Sequence, residues 1–283
     1  MRSRARPRSV CSRTMKWCRA LGPSGLFRFS FILPQAHTRR RFERCARGFL
    51  LPLALALVST AAASERAIVS LACPLDGTSF EAVQDLSGYA EGQRLDLKKL
   101  GPISQPPALA RCPQCGFPLF TKYPTTEEVA RLREVVAGKR FRTEALPATP
   151  WFALAILREE LRADPFEIGR TYLCASWEAE DDEHGDYARA AERALLWFDR
   201  AADDLREKRD RRADSLMARY LGVELCRRLG RFDEARQRLD RLGTVREQAL
   251  PWLNRFLGEQ ARLISARNAA PDSGREALPR APR

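Results

Sequence analysis

Two short turn sequences that share one frame constrain the fold of this chain more than any other feature. The second runs from Cys112 to Gly116 and reads Cys-Pro-Gln-Cys-Gly, and the first runs from Cys73 to Gly77 and reads Cys-Pro-Leu-Asp-Gly. A Cys-x-x-Cys turn directs two sulfurs at one point, and a glycine after the second ligand tolerates the left-handed backbone that the turn requires. Both stretches are therefore interpreted as metal-binding knuckles, with Asp76 in the place of a fourth cysteine.

The metal ligands predicted from these knuckles are Cys73, Asp76, Cys112 and Cys115. Zinc accepts both thiolate sulfur and carboxylate oxygen, so this set suits one structural Zn²⁺ ion. An alternative interpretation keeps the knuckles without a metal, held by packing, by a Cys112–Cys115 disulfide or by a disulfide that uses Cys73. The sequence leaves both interpretations open.

The Cys-Pro-x-Cys spacing is also that of a redox dithiol, so thiol–disulfide exchange at Cys112 and Cys115 is a competing hypothesis. That chemistry needs the first cysteine at the N-terminus of a helix, and Pro118 disfavours a helix that begins at Cys115. The scarcity of histidine restricts catalysis by histidine-dependent mechanisms, because the chain has only His37, near its N-terminus, and His184. No two-histidine metal site is expected in the mature protein, and any His-dependent catalysis there would rely on His184.

The first 63 residues have the order of an export signal. The apolar run 49–58 follows Arg47, and small residues continue to Ala63. This order predicts a secretory signal peptide that is cleaved after Ala63, and a periplasmic mature protein. An uncleaved membrane anchor is disfavoured because a spanning helix needs about 20 apolar residues. The long, arginine-rich segment 1–40 leaves open an over-extended gene start, a transit-type segment or twin-arginine export.

The positive charge of the chain lies in this leader. Residues 1–48 contain 13 of the 49 lysines and arginines and a single acid, which accounts for nearly all of the net charge of +13. Beyond residue 63, basic and acidic residues almost balance. A nucleic-acid partner is therefore not expected.

Hydrophobic periodicity divides the rest of the chain into two parts. Residues 78–83 and 94–98 alternate polar with apolar side chains, which predicts short strands around the knuckles. From Thr125 the period is near 3.6: Thr125 and Glu128 form a capping box, and Pro150 and Pro165 each open a helix. The later helices are predicted from Tyr187 to about Lys208, from about Asp214 to Leu229, from Arg231 to Leu242, and from about Gln248 to Ala266, with a disordered tail at 268–283.

Some polar and thiol residues of the helical part have plain structural interpretations. Cys174 and Cys226 lie on apolar helix faces and are expected to be small buried hydrophobes, although a disulfide between them is an alternative in an exported protein. The acidic run 181–186 is interpreted as a solvated turn between helices, since it lacks calcium-ligand spacing. Tryptophans are assigned to the core at positions 151, 177, 197 and 252.

Two stretches of the helical part share the order glycine, aromatic residue, alanine. One runs from Gly185 to Ala190 and the other from Gly230 to Ala235. The glycine ends one helix, and the alanine lets the next helix approach closely. The spacing of these stretches exceeds the usual repeat of about 34 residues, which indicates degenerate tetratricopeptide-like hairpins rather than a regular array.

Because they combine the paired knuckles with the helical hairpins, residues 67–266 resemble an uncharacterised bacterial family. Its members pair two Cys-Pro-x-Cys-Gly knuckles with a tetratricopeptide-like helical domain. The resemblance implies this architecture and no reaction. The chain departs from the pattern at Asp76, where the family has cysteine.

Together these observations predict an α+β protein with a small zinc-ribbon or rubredoxin-like β module followed by a tetratricopeptide-like helical domain. The expected boundaries are a leader and signal at 1–63, a knuckle module at 64–123, a helical domain at 124–267 and a tail at 268–283. The expected function is that of an exported, non-catalytic scaffold whose concave helical face binds a protein or peptide. A membrane is expected as a partner only through an uncleaved signal. The competing function is a periplasmic thiol–disulfide oxidoreductase.

Overall fold

The structure is a computed structural model that describes residues 66–120, 124–181, 186–206, 208–243, 250 and 252–271. The leader with its cleavage site, His184 and residues 272–283 of the tail lie outside this range, so the predictions made for them stay predictions. The same holds for the domain boundaries. A search of the described residues finds no helix with the length and apolar character that a membrane span requires.

The strands come first in the chain and form two small antiparallel sheets. They are β1 (Arg66–Ala72), β2 (Ser79–Asp85), β3 (Gly92–Gln93) and β4 (Lys99–Leu100). β1 pairs with β2 along its whole length, and β3 pairs with β4. β2 confirms the strand predicted from residues 78–83.

Helices account for most of the remaining described residues. They are α1 (Thr126–Ala137), α2 (Pro150–Glu160), α3 (Pro165–Asp181), α4 (Tyr187–Asp204), α5 (Arg212–Arg228), α6 (Phe232–Leu242) and α7 (Leu253–Ser265). A single π-helical turn, Phe141–Ala145, precedes α2, and a 3₁₀ turn, Arg209–Arg211, precedes α5. From α2 to α7, each helix packs against the next one in the chain.

Local signals fix the helix starts. The Thr125 side chain accepts a hydrogen bond from the Glu128 backbone N–H at 3.2 Å, and the Thr125 N–H donates to the Glu128 carboxylate at 2.7 Å. This confirms the capping box. Pro150 and Pro165 open α2 and α3 as predicted.

Two predicted boundaries extend too far: α4 stops at Asp204 rather than near Lys208, and α7 begins at Leu253 rather than near Gln248. In both places the apolar periodicity continues past the helix because a non-helical residue, Leu205 or Leu250, is itself buried.

The segment Arg94–Lys98 is not the strand that its alternation predicts. It is the turn between β3 and β4, and the backbone of Leu97 has a φ of 72°. Its polar residues are as buried as its apolar ones: Asp96 is 1% exposed and Leu95 is 0% exposed. The alternation arises because Arg94, Asp96 and Lys98 all meet partners on the helices.

The strand region and the helices share one core. Its buried residues include Cys73, Leu75, Leu95, Cys112 and Phe117 from the strand region, together with residues of all seven helices. Cys226 and Trp177 are buried as predicted, whereas Cys174 and the tryptophans at 151, 197 and 252 are half-buried at the edge of the core. The architecture is therefore mostly helical, with a small two-sheet region and a cysteine cluster at its start.

Candidate metal centre

The two knuckles have the same backbone structure. In the first, the Cys73 N–H donates to the Thr78 carbonyl at 2.8 Å and the Gly77 N–H donates to the Cys73 carbonyl at 2.9 Å. The second repeats both bonds at 2.9 Å, from Cys112 to Phe117 and from Gly116 back to Cys112. Each turn is also closed by an antiparallel pair of flanking residues. Equivalent turns hold their ligand positions in equivalent places.

Glycine is required at the fifth position of both turns. Gly77 has a φ of 78° and Gly116 a φ of 73°, a left-handed conformation that costs other residues about 1–2 kcal/mol. This is the backbone predicted from the shared frame. It turns the chain so that the first and fourth residues of each knuckle face the same point.

The structure brings all four predicted ligands together. One ligand atom from each of Cys73, Asp76, Cys112 and Cys115 lies within 4.8 Å of all the others. The Cys73 sulfur is 3.7 Å from that of Cys115, and the Cys112 sulfur is 3.5 Å from an Asp76 carboxylate oxygen. Both of these close pairs join one knuckle to the other. The four residues lie close together and can hold a metal ion.

The two close separations between the knuckles fit the edges of a tetrahedral site. With Zn–S of about 2.3 Å and Zn–O of about 2.0 Å, a tetrahedron places two sulfurs about 3.8 Å apart and a sulfur and an oxygen about 3.5 Å apart. The two measured pairs agree with these edges. The sulfur–sulfur distance is also far longer than the roughly 2.05 Å of a disulfide, and the cysteines of the described chain are free thiols.

Burial dominates the pKa values of two of the thiols, Cys73 and Cys115. Burial raises the pKa of Cys73, and it raises the pKa of Cys115 well above the usual range of a thiol. Burial also acts to raise the pKa of Asp76, but hydrogen bonds from the Thr78 backbone and from the Cys115 thiol outweigh it, so this pKa lies well below its ordinary value. A divalent cation favours thiolates, so metal binding at such a site releases protons.

Asp76 is the most accessible ligand position. Its side chain is exposed, whereas Cys73 and Cys112 are 2% and 1% exposed. The Thr78 N–H donates to one Asp76 oxygen at 3.0 Å, which orients the carboxylate while its other oxygen faces Cys112. The carboxylate is therefore held in place by its own knuckle.

Two arginines fasten the knuckles to the helical part. Arg133 of α1 donates to the Leu75 carbonyl in the first knuckle at 2.6 Å. Arg111, next to the second knuckle, donates to the Gly116 carbonyl at 3.0 Å and to the Ala145 and Ala148 carbonyls just ahead of α2. Sequence reasoning missed both residues. The position of Arg111 beside Cys112 was a weak signal for it, and Arg133 had none.

The remaining candidates stay apart from this cluster. Cys174 and Cys226 are not members of it, and His184 lies outside the described residues. Residues at both ends of the acidic run have structural partners: Asp181 accepts from Lys98 at 2.8 Å, and Asp186 caps α4 by accepting from the Arg189 N–H at 3.0 Å. After Cys115 the chain is non-helical through Phe120, so neither thiol of the Cys112–Cys115 pair lies at a helix N-terminus.

Comparisons with protein-family models, with curated proteins and with solved structures give no match to this chain. Its class is therefore defined by its own geometry. It is a mostly helical protein whose two knuckles form a three-cysteine, one-aspartate cluster that can hold a metal ion.

Proposed function

We propose that this protein is a non-catalytic protein-interaction scaffold in which one structural Zn²⁺ ion joins the two knuckles. The observation that carries the proposal is the convergence of Cys73, Asp76, Cys112 and Cys115 from two separate turns onto one point. Three thiolates favour a soft or borderline metal, and tetrahedral sulfur-rich sets favour zinc over magnesium or calcium. When bound, the ion supplies a cross-link between the two loops.

The ligand set supports a structural rather than a catalytic role. Four protein ligands complete a tetrahedron, whereas catalytic zinc sites keep one position for water or substrate. The half-buried cluster is also fixed to the helices through Arg111 and Arg133. Such fixation suits a cross-link that holds the strand region against the helical part.

The scaffold role is inferred from the helices. Helices that each pack on the next in the chain are typical of tetratricopeptide-like hairpins. The alanines of the two glycine-aromatic-alanine stretches support the same reading, because Ala190 and Ala235 are 1% and 0% exposed where neighbouring helices meet. The knuckles in turn support a zinc-ribbon-like module. A protein or peptide is the partner that such an arrangement favours.

Export is part of the proposal and has its own test. The order of the leader supports a periplasmic protein that begins at Ser64. N-terminal sequencing of the protein from the producing cell should read Ser64-Glu65-Arg66. A cytosolic protein that retains Met1 would contradict export without affecting the metal site.

Metal analysis tests the structural zinc. Purified protein should carry close to one zinc per chain, and Cys112→Ser should lose the metal and lower Tm by about 10 °C, since zinc binding contributes to folding. Cys174→Ser is the matched control, because Cys174 is a half-buried cysteine outside the cluster, and this variant should keep its zinc.

The same preparations test the competing oxidoreductase. A metal-free protein that reduces or oxidises a disulfide substrate, with turnover that requires Cys112, would overturn the structural site. The 3.7 Å separation of the Cys73 and Cys115 sulfurs also allows a third result. Metal-free protein with a Cys73–Cys115 disulfide would show that a covalent bond, not zinc, joins the knuckles.

A further inference from the structure

The turn between β3 and β4, here called the hairpin tip (Arg94–Lys98), is buried against the helices. Leu95 is 0% exposed, and Arg94, Asp96 and Lys98 are all buried although each carries a charge. Buried charges are costly unless they are paired. The surroundings of the tip must therefore supply specific partners.

Those partners lie on α3 and α5, which are separated in the chain by α4. They form what we call the α3–α5 surface, which consists of Trp177, Glu180 and Asp181 of α3 and Tyr220 and Arg228 of α5. The Tyr220 hydroxyl donates to the Leu95 carbonyl at 2.5 Å, and the Trp177 indole N–H donates to Asp96 at 3.0 Å. The surface thus donates hydrogen bonds to both the backbone and a side chain of the tip.

Charges of the tip and the surface are complementary. Arg94 donates to Glu180 at 2.6 Å, and Lys98 donates to Asp181 at 2.8 Å. Between these two basic residues, Asp96 faces the Arg228 guanidinium at 3.5 Å. The order basic, acidic, basic along the tip is matched by acidic, basic, acidic groups on the helices.

The α3–α5 surface is held by contacts among the helices themselves. Arg228 pairs with Glu180 at 2.7 Å, and its guanidinium lies 4.8 Å from the ring centre of Tyr187 on α4. The Tyr220 ring packs edge-on against Trp252 at 5.9 Å. Because these contacts do not involve the tip, the helices hold Glu180, Tyr220 and Arg228 in place without it.

The tip has the properties of a ligand rather than of a folded module. Its stem has only two residues in each strand, and hairpins of that size are marginal by themselves. Its shape is nevertheless fixed locally, since Arg94 binds Asp96 through two nitrogens and Gln93 donates to the Leu97 carbonyl at 3.0 Å. A preorganised loop on a short stem resembles the binding loops of protein ligands.

We infer that the α3–α5 surface is a recognition site for a protein loop that carries an apolar residue and an aspartate between two basic residues, and that the hairpin tip occupies this site in cis. The inference rests on the proposed scaffold function and names the chemistry of its partner. A partner loop with these groups makes the same bonds to Trp177, Tyr220 and Arg228, and it binds by displacing the tip.

A peptide copy of the hairpin tests this inference. The probe is a head-to-tail cyclised, fluorescein-labelled peptide of residues 90–101, and the receptor is the full chain. A double variant, Leu95→Gly with Asp96→Gly, removes two side chains by which the hairpin tip occupies the site, and it leaves the residues of the α3–α5 surface unchanged. By fluorescence anisotropy, the peptide should bind this variant at least about tenfold more tightly than wild type, because a tethered loop competes at an effective concentration near the millimolar range.

Two matched changes define specificity. A peptide with asparagine at the position of Asp96 should bind about tenfold more weakly, and so should the normal peptide when the double variant also carries Tyr220→Phe, which deletes only the hydroxyl that donates to Leu95. If the double variant does not fold, as judged by its Tm, the single variant Asp96→Asn replaces it with the same expected direction.

Equal binding to wild type and variant would overturn occupation in cis, and no binding to a folded variant would overturn the recognition site. Zinc content measured on the same preparations separates this result from the proposed function. One zinc per chain without peptide binding rejects the α3–α5 site alone. Peptide binding by a metal-free chain rejects the structural zinc ion alone.

Discussion

A carboxylate oxygen of Asp76 lies 3.5 Å from the sulfur of Cys112, across the gap between the two knuckles. The aspartate thus occupies the place of a fourth thiolate in a cluster with three cysteines that can hold a metal ion. A carboxylate is a harder ligand than a thiolate, and zinc sites with all-sulfur ligands are closed structural sites. If the proposed zinc is bound, Asp76 is the ligand whose replacement should change its affinity most.

Replacing Asp76 should change metal affinity in both directions. We expect Asp76→Cys to bind zinc at least about tenfold more tightly than wild type, because it completes a four-thiolate site, and Asp76→Ala to bind at least about tenfold more weakly. Competition with a coloured chelator measures both affinities.

Asp85→Ala serves as the control for these variants. Asp85 is a β2 carboxylate that pairs with Arg66 outside the cluster, so its removal should leave zinc affinity unchanged. Equal affinities for wild type, Asp76→Ala and Asp76→Cys would show that Asp76 is not a ligand.

Gly101 and Gly77 make a matched pair for backbone strain. Both have positive φ, 126° and 78°, but a Cβ on Gly77 meets nothing within 4 Å, whereas one on Gly101 lies 2.7 Å from the Tyr89 carbonyl oxygen. Gly77→Ala should cost about 1–2 kcal/mol of unfolding free energy from its φ alone. Gly101→Ala should cost about 3 kcal/mol or more, because backbone atoms beside β4 must also move.

Urea unfolding of the two glycine variants measures this difference. A smaller loss for Gly101→Ala than for Gly77→Ala would mean that the stem of the β3–β4 hairpin contributes little to global stability. That result would place the hairpin in a separately opening unit of the fold.

The candidate metal ligands were predictable because the signals within each knuckle are local. Each knuckle is a turn in which two candidate ligands and the glycine lie within five residues, so spacing alone indicates that the two side chains of one turn face the same point. The meeting of the two turns depends on the tertiary fold, and the shared frame was its only signal. Helix starts are local too, and the structure confirms the capping box at Thr125 and the helix-opening prolines at 150 and 165. Such features depend on neighbours in the chain rather than on the tertiary fold.

The hairpin tip was not predictable because its partners are distant in the chain. Its alternation of charged and apolar residues is typical of a strand with one solvated face. In the structure, both faces are buried, and Leu95 is held by Tyr220, which lies 125 residues further along. The sequence of Arg94–Lys98 alone does not indicate that Glu180, Asp181 and Arg228 will be its partners. The same limit explains why Arg111 and Arg133 were missed.

A buried ion pair on α5 gives a prediction about the helical core. Arg227 and Glu224 are 0% and 1% exposed and pair at 2.7 Å, and Arg227 also donates to the Asn268 and Ala270 carbonyls beyond α7. Removing one partner leaves a buried charge uncompensated. We expect Arg227→Met to lower the free energy of unfolding by about 3–5 kcal/mol.

A double variant distinguishes the loss of charge pairing between Arg227 and Glu224 from the loss of side-chain packing. Glu224→Leu with Arg227→Met replaces both charges by apolar groups, and such replacements are often close to neutral, so it should recover much of the lost stability. Arg206→Ala, at an exposed pair with Asp203, should change stability by less than about 1 kcal/mol. A double variant no more stable than Arg227→Met would show that the other contacts of the two residues outweigh the ion pair. Those contacts join Arg227 to the Asn268 and Ala270 carbonyls and Glu224 to the Gln260 amide.

The depressed pKa of Glu159 leads to a prediction about how the free energy of unfolding depends on pH. Its burial acts to raise its pKa, but hydrogen bonds from Arg140 and from the Trp197 indole at 2.6 Å outweigh burial, so the pKa lies below the ordinary value of 4.5. A folded-state pKa that is depressed stabilises the protein above pH 4.5, and this contribution is lost as the pH falls through the depressed value. Glu159→Gln should therefore cost about 1–3 kcal/mol at pH 7.

The cost of Glu159→Gln should shrink as the pH is lowered from 4.5 toward 3, because wild type then loses the same charge. Urea unfolding of both proteins between pH 7 and pH 3 measures it, and taking their difference removes the effect of every other acid. Glu160→Gln is the control: this neighbour bonds the same arginine but is 39% exposed, so its effect should stay below about 1 kcal/mol throughout. A cost of Glu159→Gln that stays constant with pH would mean that the ionised form of Glu159 is not what stabilises the contact between α2 and α4.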